Sequence, residues 1–339
     1  MYKVFSILTL LLLILLSLKK QNLSFYYDEV DVNELPLELV LSNLGSKKYN
    51  HSISKLDMEK AELGRQLIFN GKTKKGKLIS IHFVCTDCHN LVKETENPAD
   101  LSPDSRLKYA IEKNLNYLPG STLWGIYNRK SWYNDDYIKK YGDLIKNAKD
   151  SLENAVQVCA KYCSSGRFVE KWELEAMMHY FKKNELKIKD IPLNQNDKKS
   201  ILYWQKLNEK EKIELKNKIE SSFTTAFPAT FLETMPRDNR KYGEGANAEN
   251  GEQLFQRSCL SCHANKRVTY LNLNKDKLTA KFFIKHLKGY NDNTLYQIIR
   301  YGTYQKAARK QYMPHYTKEK MSDQQIEDIV AYIKKLAKS

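Results

Sequence analysis

Glycine and proline are scarce in this chain, 13 and 8 of 339 residues. That excludes a collagen-like repeat, which needs glycine at every third position. Cysteine is sparse as well: six residues in a chain of this length cannot make a knottin-like scaffold held by dense disulfides. Acidic residues fall short of basic ones, 40 against 56, for a formal charge of +16. The surplus lies mainly in the C-terminal third, where residues 245–339 hold 17 basic and 8 acidic side chains, a net of +9. Such a surface suits an acidic protein partner or a small anion. The basic residues do not interleave with a recognition motif, so no nucleic-acid partner is expected.

Long apolar runs are also few. The conspicuous one is Val4 to Leu18, bounded by Lys3 and by Lys19 and Lys20. It is shorter than the ~20 residues that cross a bilayer comfortably, and it suits the core of a signal peptide. No small-x-small cleavage site follows, and no nearby cysteine could accept a lipid. Residues 1–20 therefore predict export to the periplasm, as a removed signal peptide or as a short membrane anchor. A buried N-terminal helix is the alternative. The remaining length corresponds to roughly two domains at ~150 residues each.

The six cysteines are not spaced as a disulfide framework. They fall as Cys85-Thr-Asp-Cys88-His89, Cys159-x-x-x-Cys163 and Cys259-Leu-Ser-Cys262-His263. C-x-x-C-H is the attachment motif of c-type haem. Two thiols add across the porphyrin vinyl groups, and the adjacent histidine reaches the iron from one face. A redox dithiol or half of a zinc site would explain one such motif; two in an exported chain predict two covalent haems.

The surroundings of the motifs repeat. A helix is expected from Asp57 to Phe69, with Gly64 ahead of Leu67 and Phe69; Gly251 stands likewise ahead of Leu254 and Phe255. Downstream, Trp172 to Lys183 and Ser322 to Leu336 read as periodic helices, the latter capped by Ser322. Tyr180 and Tyr332 match across an offset of 152 residues. The predicted organisation is an N-terminal extension over 21–56, a first haem domain over 57–185, a linker over 186–244 and a second haem domain over 245–339. The linker should carry a charged helix over 201–219 and then an apolar, proline-broken segment, 223–236, that wraps a domain or fills an interface. Leu35 to Leu44 predicts a short helix packed on the first domain.

Each iron has a second axial position. In the second domain Met313 precedes Pro314 just ahead of the last helix, which predicts Met313 as ligand: a thioether favours ferrous iron, and proline fixes the loop. A core methionine is the bland alternative, and His286 is the competing ligand. His315 stands too close to the Met-Pro turn to substitute. In the first domain the 152-residue offset carries Met313 onto Lys161, between Cys159 and Cys163. A thiolate from one of this pair is expected on haem 1 and would lower its potential. A bridge between the two cysteines is the alternative. Met177, Met178 and His179 read as core or haem-edge packing.

These motifs resemble the diheme c-type cytochromes of the thiosulfate dehydrogenase and sulfur-oxidation class, over about 57–185 and 245–339. The resemblance implies an all-α fold with two cytochrome c domains in tandem. In that family a cysteine seven residues before a glycine supplies the distal ligand, which selects Cys159 with Gly166 here; Cys163 is a departure. Gly251, Cys259, Cys262, His263, Met313 and Pro314 resemble class I cytochrome c. The implied metal ligands are His89 and Cys159 for haem 1, and His263 and Met313 for haem 2. The implied reaction joins two thiosulfates into tetrathionate, with Cys159 at the reacting centre and Arg167, then Arg129, beside the anion. A salt bridge or a haem-propionate contact is the alternative for either arginine. Electrons would leave through haem 2 to an acidic redox protein or a membrane oxidoreductase. A pure electron-transfer subunit is the second reading. A diheme peroxidase is the third, disfavoured because two cysteines stand where an open iron site would be needed.

Overall fold

The computed structural model describes residues 31–47, 51–53, 55–72, 76–264, 268–269, 271–289, 294–302 and 313–339. The expected signal peptide or anchor, residues 1–20, lies outside the described residues. Among the described residues the regular structure is helical, with no strand beyond two isolated bridges, and no helix is long and apolar enough to cross a membrane. The fold is all-α.

The chain divides into two units. The smaller comprises residues 1–48 and 187–219. Helix α1 (Leu37–Asn43) buries Leu37, Val40 and Leu41. The incoming strand of chain is tied to the return segment by Ile188 N–H donating to the Leu35 carbonyl, 3.1 Å, and by Glu34 between Lys187 and Lys189, 2.6 Å each.

The larger unit comprises residues 49–186 and 220–339 and contains both C-x-x-C-H motifs. Its first half holds α2 (Met58–Asn70), α3 (Cys85–Cys88), α4 (Pro103–Glu112), α5 (Asp136–Tyr141), α6 (Leu152–Val158) and α7 (Lys171–Lys183). Asp57 starts α2 by accepting from the amides of Glu59 and Lys60, 2.9 and 3.1 Å. His179 of α7 accepts from the Asp57 amide, 3.1 Å, which gives this histidine a structural task. α2 and α7 cross over Leu67, Ile68, Met177 and Met178, all buried.

The linker departs from expectation. The helix expected over 201–219 is two helices in the smaller unit, α8 (Gln195–Leu202) and α9 (Glu209–Glu220). The break is encoded at Asn208, whose side chain accepts from the Glu211 amide while Glu211 accepts from the Asn208 amide, 2.9 and 2.8 Å. That reciprocal cap starts a helix where charge periodicity alone continued one.

The second half holds α10 (Ala248–Leu254), α11 (Leu260–His263), α12 (Lys277–Leu287), α13 (Leu295–Tyr301) and α14 (Asp323–Lys338). Ser322 caps α14 by accepting from the Gln325 amide, 3.1 Å. α10 packs on α14 through Leu254, Ile329, Val330 and Ile333, each at most 0% exposed; burying one such side chain contributes about 1.5–3 kcal/mol. Leu107 and Ala110 of α4, with Tyr117, join this second core. The two halves are therefore one packed body rather than beads on a linker. The proline-broken segment after α9 runs along both, with Phe223 and Ala229 buried, Thr225 accepting from the Lys130 amide at 2.7 Å and Thr230 Oγ1 donating to Glu319 at 2.6 Å.

Candidate haem-binding site

The first motif forms a single helical turn, α3. Asp87, buried beneath it, accepts from the Val84 amide at 2.8 Å and so fixes where the turn begins. His89 leaves the turn extended and lies 2.6 Å through Nδ1 from the Ser121 carbonyl. A carbonyl only accepts, so Nδ1 carries the proton and Nε2 is the ring nitrogen left for a metal. Burial lowers the His89 pKa and keeps the ring neutral, as a ligand must be. Gly120 makes this possible: a Cβ there would stand 2.5 Å from the His89 ring.

Cys85, Cys88 and His89 line a cavity of about 1510 Å3, counting space open to solvent, beside Leu67, Met177 and Trp132. Cys159, Cys163, Tyr133, Tyr137 and Tyr141 line the same cavity. The sequence-predicted thiol and histidine are thus brought together. Burial raises the Cys85 thiol to about 11, so that it rests protonated.

Cys159 and Cys163 are free thiols hydrogen-bonded to each other, not a bridge. They span a π-helical turn, Cys159–Cys163, closed by the Ser164 amide on the Cys159 carbonyl at 2.9 Å. Such a turn, frequent at functional sites, brings residues four apart onto one face. Cys163 Sγ lies 3.8 Å from Tyr141 Oη and 4.0 Å from Tyr133 Oη. The hydrogen bond with Cys159 lowers the Cys163 thiol to about 7 against the opposing effect of burial, with Tyr141, Tyr133 and Lys140 assisting. Cys159 is pushed up by the same hydrogen bond and by burial. Lys140 donates from Nζ to His315 Nδ1, 2.6 Å, and to the Tyr301 carbonyl, 3.2 Å; burial brings it down to about 8.

Arg167 does not reach the cavity. Its guanidinium grips Glu173 with two bonds of 2.7 Å and donates to the carbonyls of Lys77, Leu78 and Phe168. Glu173 is 1% exposed, so the pair is a structural clamp at the start of α7. Arg129, the second candidate, does line the cavity. It is 2% exposed and donates to Ser121 Oγ and to the Thr122 carbonyl, and among the described residues no carboxylate is ion-paired to it.

The second motif follows another π-helical turn, Phe255–Cys259. His263 Nδ1 lies 2.8 Å from the Leu271 carbonyl, which repeats the arrangement of His89. Burial raises Cys259 to about 12. Met313 is half-buried at the start of the described segment 313–339; residues 303–312, just before it, lie outside the described residues. Arg300 braces this loop by donating to the carbonyls of Tyr316 and Met321, 3.2 and 2.7 Å. His286 packs on Phe282, ring centroids 4.9 Å apart.

Sequence reasoning missed what the C-terminal half adds to the first cavity. Pro314, His315, Thr317 and Lys320 line it, as do Phe227, Pro228 and Ala229. Tyr316, between them, is buried; besides that burial, the Cys259 and Cys262 sulfurs push its phenol up. None of these contacts follows from a local motif, because each joins residues far apart in the chain.

Residues 246–333 match the family model described as cytochrome c oxidase, cbb3-type, subunit III. That match supports a c-type cytochrome domain with a covalently bound c-type haem and a role in electron transfer. No curated protein matches the chain.

Proposed function

We propose that this chain is a periplasmic diheme cytochrome c that oxidises thiosulfate to tetrathionate at the first haem and hands electrons on through the second. The observation that carries this is one cavity lined by Cys85, Cys88 and His89 together with a second pair of thiols, Cys159 and Cys163. Joining two thiosulfates makes one S–S bond and releases two electrons; a c-type haem accepts one, so two such groups match the stoichiometry.

The residues have distinct tasks in this reading. His89, held by Ser121, would hold the first haem's iron through Nε2, and His263, held by Leu271, would do the same in the second half. Cys159 would be the thiol that holds the first haem's iron, while Cys163 is held by Tyr133 and Tyr141 beside it. Buried phenols around the thiols exclude water. Arg167 is engaged by Glu173, and Lys140, which does not line the cavity, acts on Cys163 from behind its wall through its charge. Met313 would supply a thioether to the iron of haem 2. The net +9 of residues 245–339 guides an acidic redox protein or a membrane oxidoreductase.

A pure electron-transfer subunit is the second reading. It is favoured by the diversion of Arg167 and by the likeness of residues 246–333 to an oxidase subunit. The test is reduction of the purified holoprotein by thiosulfate, followed in the haem absorption bands, with an artificial acceptor for turnover. Turnover supports the first reading. Absence of turnover with rapid, salt-sensitive exchange with acidic redox proteins supports the second.

A further inference from the structure

The His89 side of the first cavity holds more positive charge than its surroundings balance. Arg106, Arg129 and Lys320 are 4%, 2% and 2% exposed. Among the described residues Glu94 is the one carboxylate ion-paired to any of them: its oxygens take Arg106 at 2.9 Å and Lys320 at 2.6 Å. Three cationic side chains against one carboxylate leave two without an opposite charge, and burial accordingly brings Arg129 down to about 10 and Lys320 to about 7. A charge removed from water is strongly unfavourable without an opposite charge beside it.

The surplus faces the cavity. Arg129 and Lys320 both line it, whereas Arg106 and Glu94 stand behind them. Donor capacity is left over as well. Arg129 Nε is buried with no acceptor, and Lys320 Nζ spends one of its three hydrogens on Glu94. The position discriminates between possible anions. Ser121 accepts from Arg129 through its hydroxyl and from His89 through its carbonyl, which places Arg129 with the proximal histidine. A soluble oxyanion reacting at sulfur belongs at Cys159 and Cys163 instead.

We propose that Arg129 and Lys320 hold the two propionate carboxylates of the haem attached at Cys85 and Cys88, so that each half of the chain grips the same group. Two ionised propionates cancel the surplus of two. The inference rests on reading this cavity as a haem site. It makes that site incomplete without the C-terminal half, because Lys320 lies seven residues beyond Met313 in the loop that leads into α14.

The experiment begins with the denatured mass of the wild-type holoprotein. One haem instead of two would remove the reading of the cavity itself, separately from this inference. With two haems present, Lys320→Met, Arg129→Met and Arg129→Lys are titrated spectroelectrochemically, with redox-difference infrared spectra in the carboxylate region. Loss of a neighbouring cation favours the ferric form. Each methionine variant should therefore lower the first haem's potential by the equivalent of at least tenfold in the ferric/ferrous ratio, about 59 mV for one electron. The propionate bands should shift, the second haem should hold its potential, and Arg129→Lys should recover most of the loss. Arg129→Met leaves the Glu94 ion pairs intact and carries the test if Lys320→Met does not fold. Unchanged potential and bands in the methionine variants overturn the proposal. So does a rise in the KM for thiosulfate without a shift in potential, which would assign the cations to a soluble oxyanion.

Discussion

Gly64 meets the backbone carbonyl of Ala176 with no room for a side chain between α2 and α7: a Cβ built on it would overlap that oxygen. Gly251 and Asp328 stand in the same relation between α10 and α14. This shared contact sets the distance at which the first and last helices of each half cross, and with it the frame around each C-x-x-C-H motif. Gly64→Ala and Gly251→Ala should each destabilise the protein by about 1–3 kcal/mol, the range for overpacking a closed contact. A denaturant midpoint unchanged from wild type in either variant would show that the helices can separate at no cost.

Two covalent haems are expected from two motifs whose histidines are oriented alike, His89 on Ser121 and His263 on Leu271. Cys85→Ala/Cys88→Ala should remove one haem mass and Cys259→Ala/Cys262→Ala the other, as read by denaturing mass spectrometry.

Cys159 and Cys163 can be separated by electron paramagnetic resonance. A low-spin thiolate signal from the first haem should vanish in Cys159→Ala and persist, shifted, in Cys163→Ser, because Cys163 acts through its hydrogen bond to Cys159. The reverse pattern would make Cys163 the ligand. Under the proposed function Cys159→Ala should also abolish thiosulfate turnover while the second haem's spectrum stays normal.

Met313→Ala should abolish the long-wavelength methionine-to-iron charge-transfer band and lower the potential of the second haem. Arg300→Gln should weaken the same band without removing a ligand, because Arg300 holds the carbonyls of Tyr316 and Met321 that brace the loop. A band intact in Met313→Ala would turn attention to His286.

Acid should loosen the contact between the halves through Glu94. Burial alone would raise this carboxyl, but Arg106 and Lys320 outweigh it and hold the group well below its ordinary 4.5. Its folded-state pKa is depressed, so its stabilisation is fully present above about pH 4.5 and is lost as pH falls below that value. Glu94→Ala leaves two buried cations unpaired and should cost about 3–5 kcal/mol at pH 7. The variant should also lose less stability than wild type between pH 5 and pH 3, measured by denaturant unfolding at each pH.

What the sequence determined by itself was local chemistry. C-x-x-C-H is read from five adjacent residues, and the helices flanking it are read from apolar period and from caps such as Asp57 and Ser322. These signals survive because each depends on neighbours within a turn or two of the chain. The break at Asn208 failed only because a reciprocal cap outweighed a charge pattern that ran through it. Tertiary structure decided everything that depends on residues meeting across long separations. Arg167 looked like an anion site and is a clamp, because folding buries Glu173 beside it and a buried carboxylate demands a cation. Lys320, which no local motif singles out, lines the first cavity and pairs with Glu94, 226 residues earlier. Charge pairing of this kind is set by which groups lose water together, and that is fixed only when the chain has closed on itself.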